Sequence, residues 1–126
     1  MLRIFTVLGL MLGAAAAQAD QIIGSYHAYI GEDDLYNSKG ARLSAPWQVL
    51  RQDRANFHKF GIFQPGDEWD PFFDDIGDRG RMEQWIMNGW IDPAAADILM
   101  RGGASVLVEI YGRGSTGTSI RVTVAR

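Results

Sequence analysis

The chain has 126 residues, a formal net charge of −3 and no cysteine. That length suits one domain with a real apolar core and is short for two. The missing cysteines exclude a disulfide scaffold, thiol catalysis and Cys-ligated zinc or iron–sulfur centres. The mild acidity argues against binding nucleic acid or an anionic membrane by bulk charge.

The first nineteen residues read as an export signal. Arg3 supplies a short positive start, and residues 4–17 form an uncharged run of Ile, Phe, Val, Leu, Met, Gly and Ala, with Thr6 its one hydroxyl residue. Ala17-Gln18-Ala19 offers the small-x-small pattern of a signal-peptidase site, with cleavage between Ala19 and Asp20. The apolar run is shorter than the roughly 20 residues of a spanning helix. No Cys follows it to carry a lipid anchor. The expectation is a mature chain from Asp20 to Arg126, periplasmic or secreted, with no membrane attachment once the signal is removed. It keeps eleven basic and fifteen acidic residues, a charge of about −4.

Residues 22–31 alternate, with Tyr26, Ala28 and Ile30 on one face and His27 and Tyr29 on the other, which predicts a strand. Residues 37–40 (Asn-Ser-Lys-Gly) signal a turn, and residues 41–43 a short return strand. Ser44 then reads as a cap before Pro46, which opens a helix ending near Phe60, before Gly61. Trp47, Leu50, Arg54 and Phe57 recur along it at steps of three and four. Residues 61–78 carry no period and read as an ordered acidic loop held by its aromatic residues. Asp78 is expected to cap a second helix with Met82, Trp85 and Ile86 as its apolar stripe, ending at Gly89. Asp92-Pro93 predicts a cap and first turn of a third helix over 93–101, stopped by Gly102. The second and third helices would form an αα-hairpin with Trp90 and Ile91 in its turn. Residues 106–111 and 120–124 alternate and predict a terminal β-hairpin. A hairpin alone is marginal, so the N-terminal strand is the natural third member of its sheet. The fold class is therefore α+β: a small antiparallel sheet of three to four strands against about three helices.

Three constellations carry possible chemistry. Residues 112–117 match the letters G-x-G-x-x-G, but a strand follows rather than a helix, and no βαβ unit fits before the C-terminus. A hairpin turn is the expected role. Asp67, Glu68, Trp69, Asp70, Phe72, Phe73, Asp74 and Asp75 form an acidic, aromatic stretch and are the candidate interaction loop. Their spacing departs from the EF-hand pattern, so no metal is assigned. His27 and His58 belong to no recognisable catalytic motif. The first helix is locally basic through Arg51, Arg54, His58 and Lys59, and pairing with the acidic loop is expected.

The sequence thus points to an exported, non-catalytic domain that binds a protein or an envelope component, with no cofactor and no catalytic residues assigned. The alternative is a small extracytoplasmic hydrolase using loop carboxylates or a histidine. A deep pocket joining His27 or His58 to two acids would favour the hydrolase, and a flat aromatic patch the binder.

Overall fold

A computed structural model describes residues 20–126; the expected signal segment, including Ala19, lies outside the described residues. Four strands form one sheet: β1 (Gln21–Ile30), β2 (Trp90–Ile91), β3 (Ala104–Arg113) and β4 (Thr116–Val124). Their spatial order is β1-β3-β4-β2. Helices α1 (Pro46–Ala55), α2 (Ile76–Gly80), α3 (Met82–Asn88) and α4 (Pro93–Arg101) complete an α+β fold.

The alternation seen in the sequence decides the two faces. Tyr26, Ala28 and Ile30 on β1, Val106, Val108 and Ile110 on β3, and Ile120 and Val122 on β4 are buried. Val49 and Leu50 of α1, Phe73, Met82 and Trp85, and Ile98 and Leu99 of α4 complete that core. Each fully buried aliphatic side chain contributes about 1.5–3 kcal/mol relative to exposure. The helices lie on this face alone. The opposite face, with His27, Tyr29, Leu107, Glu109, Tyr111 and Arg121, carries no helix layer among the described residues and is partly or fully exposed.

Several local expectations change. The sheet is mixed, because residues 90 and 91 are not the turn of a helical hairpin. They form β2, which pairs in parallel with β4 through Trp90–Arg121 and Ile91–Val122. Gly89 permits this approach, since a Cβ there would stand 1.8 Å from the Ile120 carbonyl oxygen. Asp92 gives its backbone rather than its side chain to the junction. Its N–H donates to the Val122 carbonyl at 2.9 Å, and its carboxylate makes no capping bond. The expected second helix is split and Asp78 caps neither part: Asp75 caps α2, accepting from the Gly77 N–H at 2.8 Å, and α3, which carries Met82, Trp85 and Ile86, has no side-chain cap. Asp78 lies inside α2 and pairs with Arg81. Ser44 is likewise displaced as a cap: the Gln48 side chain reaches back to accept from the Ser44 and Ala45 N–H groups at 3.0 and 3.2 Å. The return strand at residues 41–43 reduces to a single bridge between Tyr36 and Arg42.

The G-x-G-x-x-G letters form the β3–β4 connection. Gly114 sits at φ +59, the left-handed turn position that favours glycine. Gly117 admits the Trp85 indole, whose nearest carbon would lie 2.7 Å from a Cβ. Turn geometry and packing explain these two glycines without a ligand.

Candidate functional site

The acidic loop and the basic helix meet, as their charges lead one to expect, in a buried cluster. Arg54 projects from the inner side of α1 and is 0% exposed. Its Nε donates to Asp53 at 2.7 Å, and its Nη1 donates to Asp70 at 2.8 Å and to the Glu68 carbonyl at 2.9 Å. The guanidinium lies 4.1 Å from the Tyr26 ring centre and 4.7 Å from that of Phe57. His58 Nε2 stands 2.7 Å from the same Asp70 oxygen. The second Asp70 oxygen accepts from the Phe72 and Phe73 N–H groups at 2.9 and 2.7 Å, which folds the loop over the core.

Beside this, Asp34 accepts from Asn56 Nδ2 at 2.9 Å and from the Gly31 N–H at 2.9 Å. Burial acts on every carboxyl here. It pushes Asp53 well above the ordinary aspartate range against the pull of Arg54. It pushes Asp34 up as well, against hydrogen bonds from Asn56 and Gly31. At Asp70 burial also acts upward, but the bonds from Arg54, His58 and the backbone win and hold it below the ordinary value. The arrangement neutralises a buried cation with the nearest acids and fastens a loop. Its charged groups face one another, with Arg54 Nη2 4.0 Å from Asp67 and without a hydrogen bond among the described residues.

The remaining loop residues divide. Asp67 and Glu68 cover the outer edge of β1. Asp67 accepts from the Tyr29 N–H at 2.8 Å and from the Gln64 N–H at 2.8 Å. Glu68 accepts from the His27 N–H at 2.8 Å and also contacts His27 Nδ1, while its own N–H donates to the His27 carbonyl at 2.9 Å. Carboxylates here occupy edge groups that a further strand would otherwise claim. Phe73 is buried between Tyr26 and Trp85, with ring centres 6.2 and 5.4 Å away. Phe72 is half-buried against Gly24. Asp75 is the α2 cap, and Asp74 is exposed, its carbonyl accepting from Arg79. Trp69, 63% exposed, is the one aromatic of the expected interaction stretch that stands in solvent. Among the described residues no group of three or more His, Asp or Glu side chains is arranged to hold a metal ion.

A second aromatic and charged surface lies on the uncovered sheet face. Trp90, 47% exposed, stands beside Arg121, whose guanidinium is 5.4 Å from the indole centre. Glu109 stands opposite Arg121 in the β3–β4 register, and Tyr111 opposite Ser119. Two concavities flank the Trp90–Arg121 pair. One, of about 520 Å³, is lined by Gly89, Tyr111, Ser119 and Ile120 with the pair itself. The other, of about 630 Å³, adds His27, Asp92, Leu107 and Arg126. Residue spacing places Trp90 in a turn and so gives no sign of this surface. The signal available was the apolar Trp90-Ile91 step between Gly89 and Asp92, too short for a period to show.

Comparison with known proteins returns no match: no family model, no curated protein and no solved structure matches this chain.

Proposed function

We propose that this is an exported, non-catalytic domain that binds a partner protein through the open face of its sheet, centred on Trp90 and Arg121. The observation that carries the reading is an exposed Trp–Arg stack between two concavities on a face without helices. Trp, Tyr and Arg are the residues in which binding energy concentrates at protein interfaces, and a central anchor with flanking hollows suits a protruding partner side chain. Export rests on the n-region, apolar run and Ala-x-Ala step of residues 1–19. Their removal would leave every described element intact, since the first begins at Gln21. No described helix is long and apolar enough to cross a membrane.

The two histidines support binding over hydrolysis. His58 is 5% exposed on its side chain and is engaged with Asp70 beside Arg54. His27 reaches the open face, but its Nδ1 side is held by Glu68 in the edge clasp of β1.

A photo-crosslinking residue placed at position 121 tests the interface in the exporting cell. A discrete adduct identified by mass spectrometry, lost on Trp90→Ala and not produced from position 101 on α4, is the expected result. Equal labelling from both positions, or none from 121, would overturn it.

A further inference from the structure

We propose that the outer side of α1 is a second binding site, one that takes a short peptide with free termini. The peptide's carboxylate faces Arg51 and Lys59, and its ammonium faces Glu32 and Asp33. The site is independent of the sheet face.

The first observation is how α1 divides its cations. Arg54 and His58 turn inward and are consumed in the buried cluster. Arg51 and Lys59 are exposed and make no ion pair among the described residues. They line one groove of about 340 Å³ with Trp47, Gln48 and Ile76, and no carboxylate lines it. Arg79, which also borders this groove, is 5% exposed and donates to the Phe73 and Asp74 carbonyls, so it adds background charge rather than a free donor.

The second observation is the adjoining groove of about 430 Å³. It is lined by Glu32 and Asp33 with Tyr36 and Ile62, and by no lysine or arginine. Both acids are exposed and unpaired among the described residues. Asn37, Ser38, Gln52 and Phe60 border both grooves. The outer side of α1 is therefore one trough, positive at one end and negative at the other. Its field favours a ligand with the opposite sequence of charges, and each half has the size of a small-molecule site.

The shared wall supplies what a peptide backbone needs. Gln52 spends its Nε2 on Asn56 Oδ1 at 2.9 Å, leaving Oε1 as an acceptor. Asn37 spends its Oδ1 on the Lys39 and Ala41 N–H groups, both at 2.9 Å, leaving Nδ2 as a donor. One free acceptor and one free donor between the charged ends match a peptide N–H and C=O. Phe60 joins this wall from the π-helical turn Asn56–Phe60, which follows α1 and ends at the left-handed Gly61. Wide turns of this kind recur at functional sites. Here the turn presents Phe60, 47% exposed, with the Lys59 ammonium 5.1 Å from its ring centre. A trough that is concave at both ends suits a narrow ligand better than the flat face of a second copy.

Titration of the purified protein with tetra-alanine, followed by calorimetry and by NMR shifts, tests the assignment. Saturable binding is expected. Blocking either terminus, by C-terminal amidation or N-terminal acetylation, should weaken it about tenfold or more, the scale of one charge-assisted hydrogen bond. The double variant Arg51→Ala, Lys59→Ala should become indifferent to amidation while staying sensitive to acetylation. Glu32→Gln with Asp33→Asn should show the reverse. Glu83→Gln, on the exposed side of α3, is the control, and circular dichroism verifies each fold. No binding at millimolar tetra-alanine would overturn the proposal. So would binding indifferent to the blocked termini, or a dimer in sedimentation that Arg51→Ala with Lys59→Ala dissociates.

Discussion

The Arg54 guanidinium donates to the Asp70 carboxylate at 2.8 Å, and this one contact joins the inner side of α1 to the loop that follows it. Asp70 in turn accepts from two backbone N–H groups of that loop. Removing the cation leaves Asp53 and Asp70 buried without their counter-charge. Arg54→Met should therefore cost about 3–5 kcal/mol. Arg54→Lys should recover only part of this, because a single ammonium cannot serve Asp53, Asp70 and the Glu68 carbonyl in one planar fork. Urea unfolding of the three proteins, read by tryptophan fluorescence, gives the order.

The buried carboxyls predict a stability profile with two opposed limbs. Asp70 is held below the ordinary value of 3.8, so its stabilisation is complete above that value and is lost as pH falls through its folded value. Asp53 and Asp34 are pushed above 3.8, so their contribution is complete below it and is lost as pH climbs through their folded values. Asp53→Asn takes the carboxylate acceptor from Arg54 Nε and should lower the urea midpoint, by less at pH 7 than at pH 4. Asp70→Asn should lower the midpoint at pH 7 and flatten the acid limb. A set of urea midpoints from pH 3 to 8 checks both signs.

Tyr26 offers a simpler test. Its hydroxyl is buried and has no hydrogen-bond partner among the described residues, although its ring lies against Arg54 and Phe73. An unpartnered buried polar group costs about 1–3 kcal/mol. Tyr26→Phe keeps the ring contacts and removes that group, so the variant should be as stable as the parent or more so. A shift of the denaturation midpoint downward would show that the hydroxyl has a partner after all.

Calcium should have little effect. Asp67, Asp70 and Asp75 direct their oxygens to backbone N–H groups or to Arg54, so the loop offers no convergent set of free ligands. An occupied site at 100 times its dissociation constant would add about 2.7 kcal/mol. In a domain of this size that raises the melting temperature by more than about ten degrees. Melts in millimolar calcium and in excess chelator should nearly coincide.

Residue spacing made much of this fold legible in the sequence. Period-two alternation marked β1, β3 and β4 and identified their buried faces. Pro46 and Pro93 marked two helix starts, and Gly61 and Gly102 their ends. Even the charge cluster left a trace, because Arg54 occupies the apolar stripe of α1 between Leu50 and Phe57, where a charged side chain needs a buried partner. What stayed hidden depends on contacts between distant segments. A two-residue strand has no period, so β2 passed for a turn. The edge clasp of Asp67 and Glu68 on β1 and the amide of Asn56 on Asp34 join residues far apart in the chain. The trough outside α1 needs Glu32 and Asp33 beside Phe60, a proximity that no local pattern records.

The pairing of β1 with β3 also governs when this molecule can fold. β1 begins at Gln21, and its first partner residue on β3 is Gly112, near the opposite end of the chain. Closing so large a loop is slow, and the contacts that reward it form only after the loop is closed. The β3–β4 hairpin can form quickly, yet it is made after every other described element. Until then, the first strand has nothing to pair with. The sheet therefore closes in one late step that joins its first strand to its third, rather than growing strand by strand.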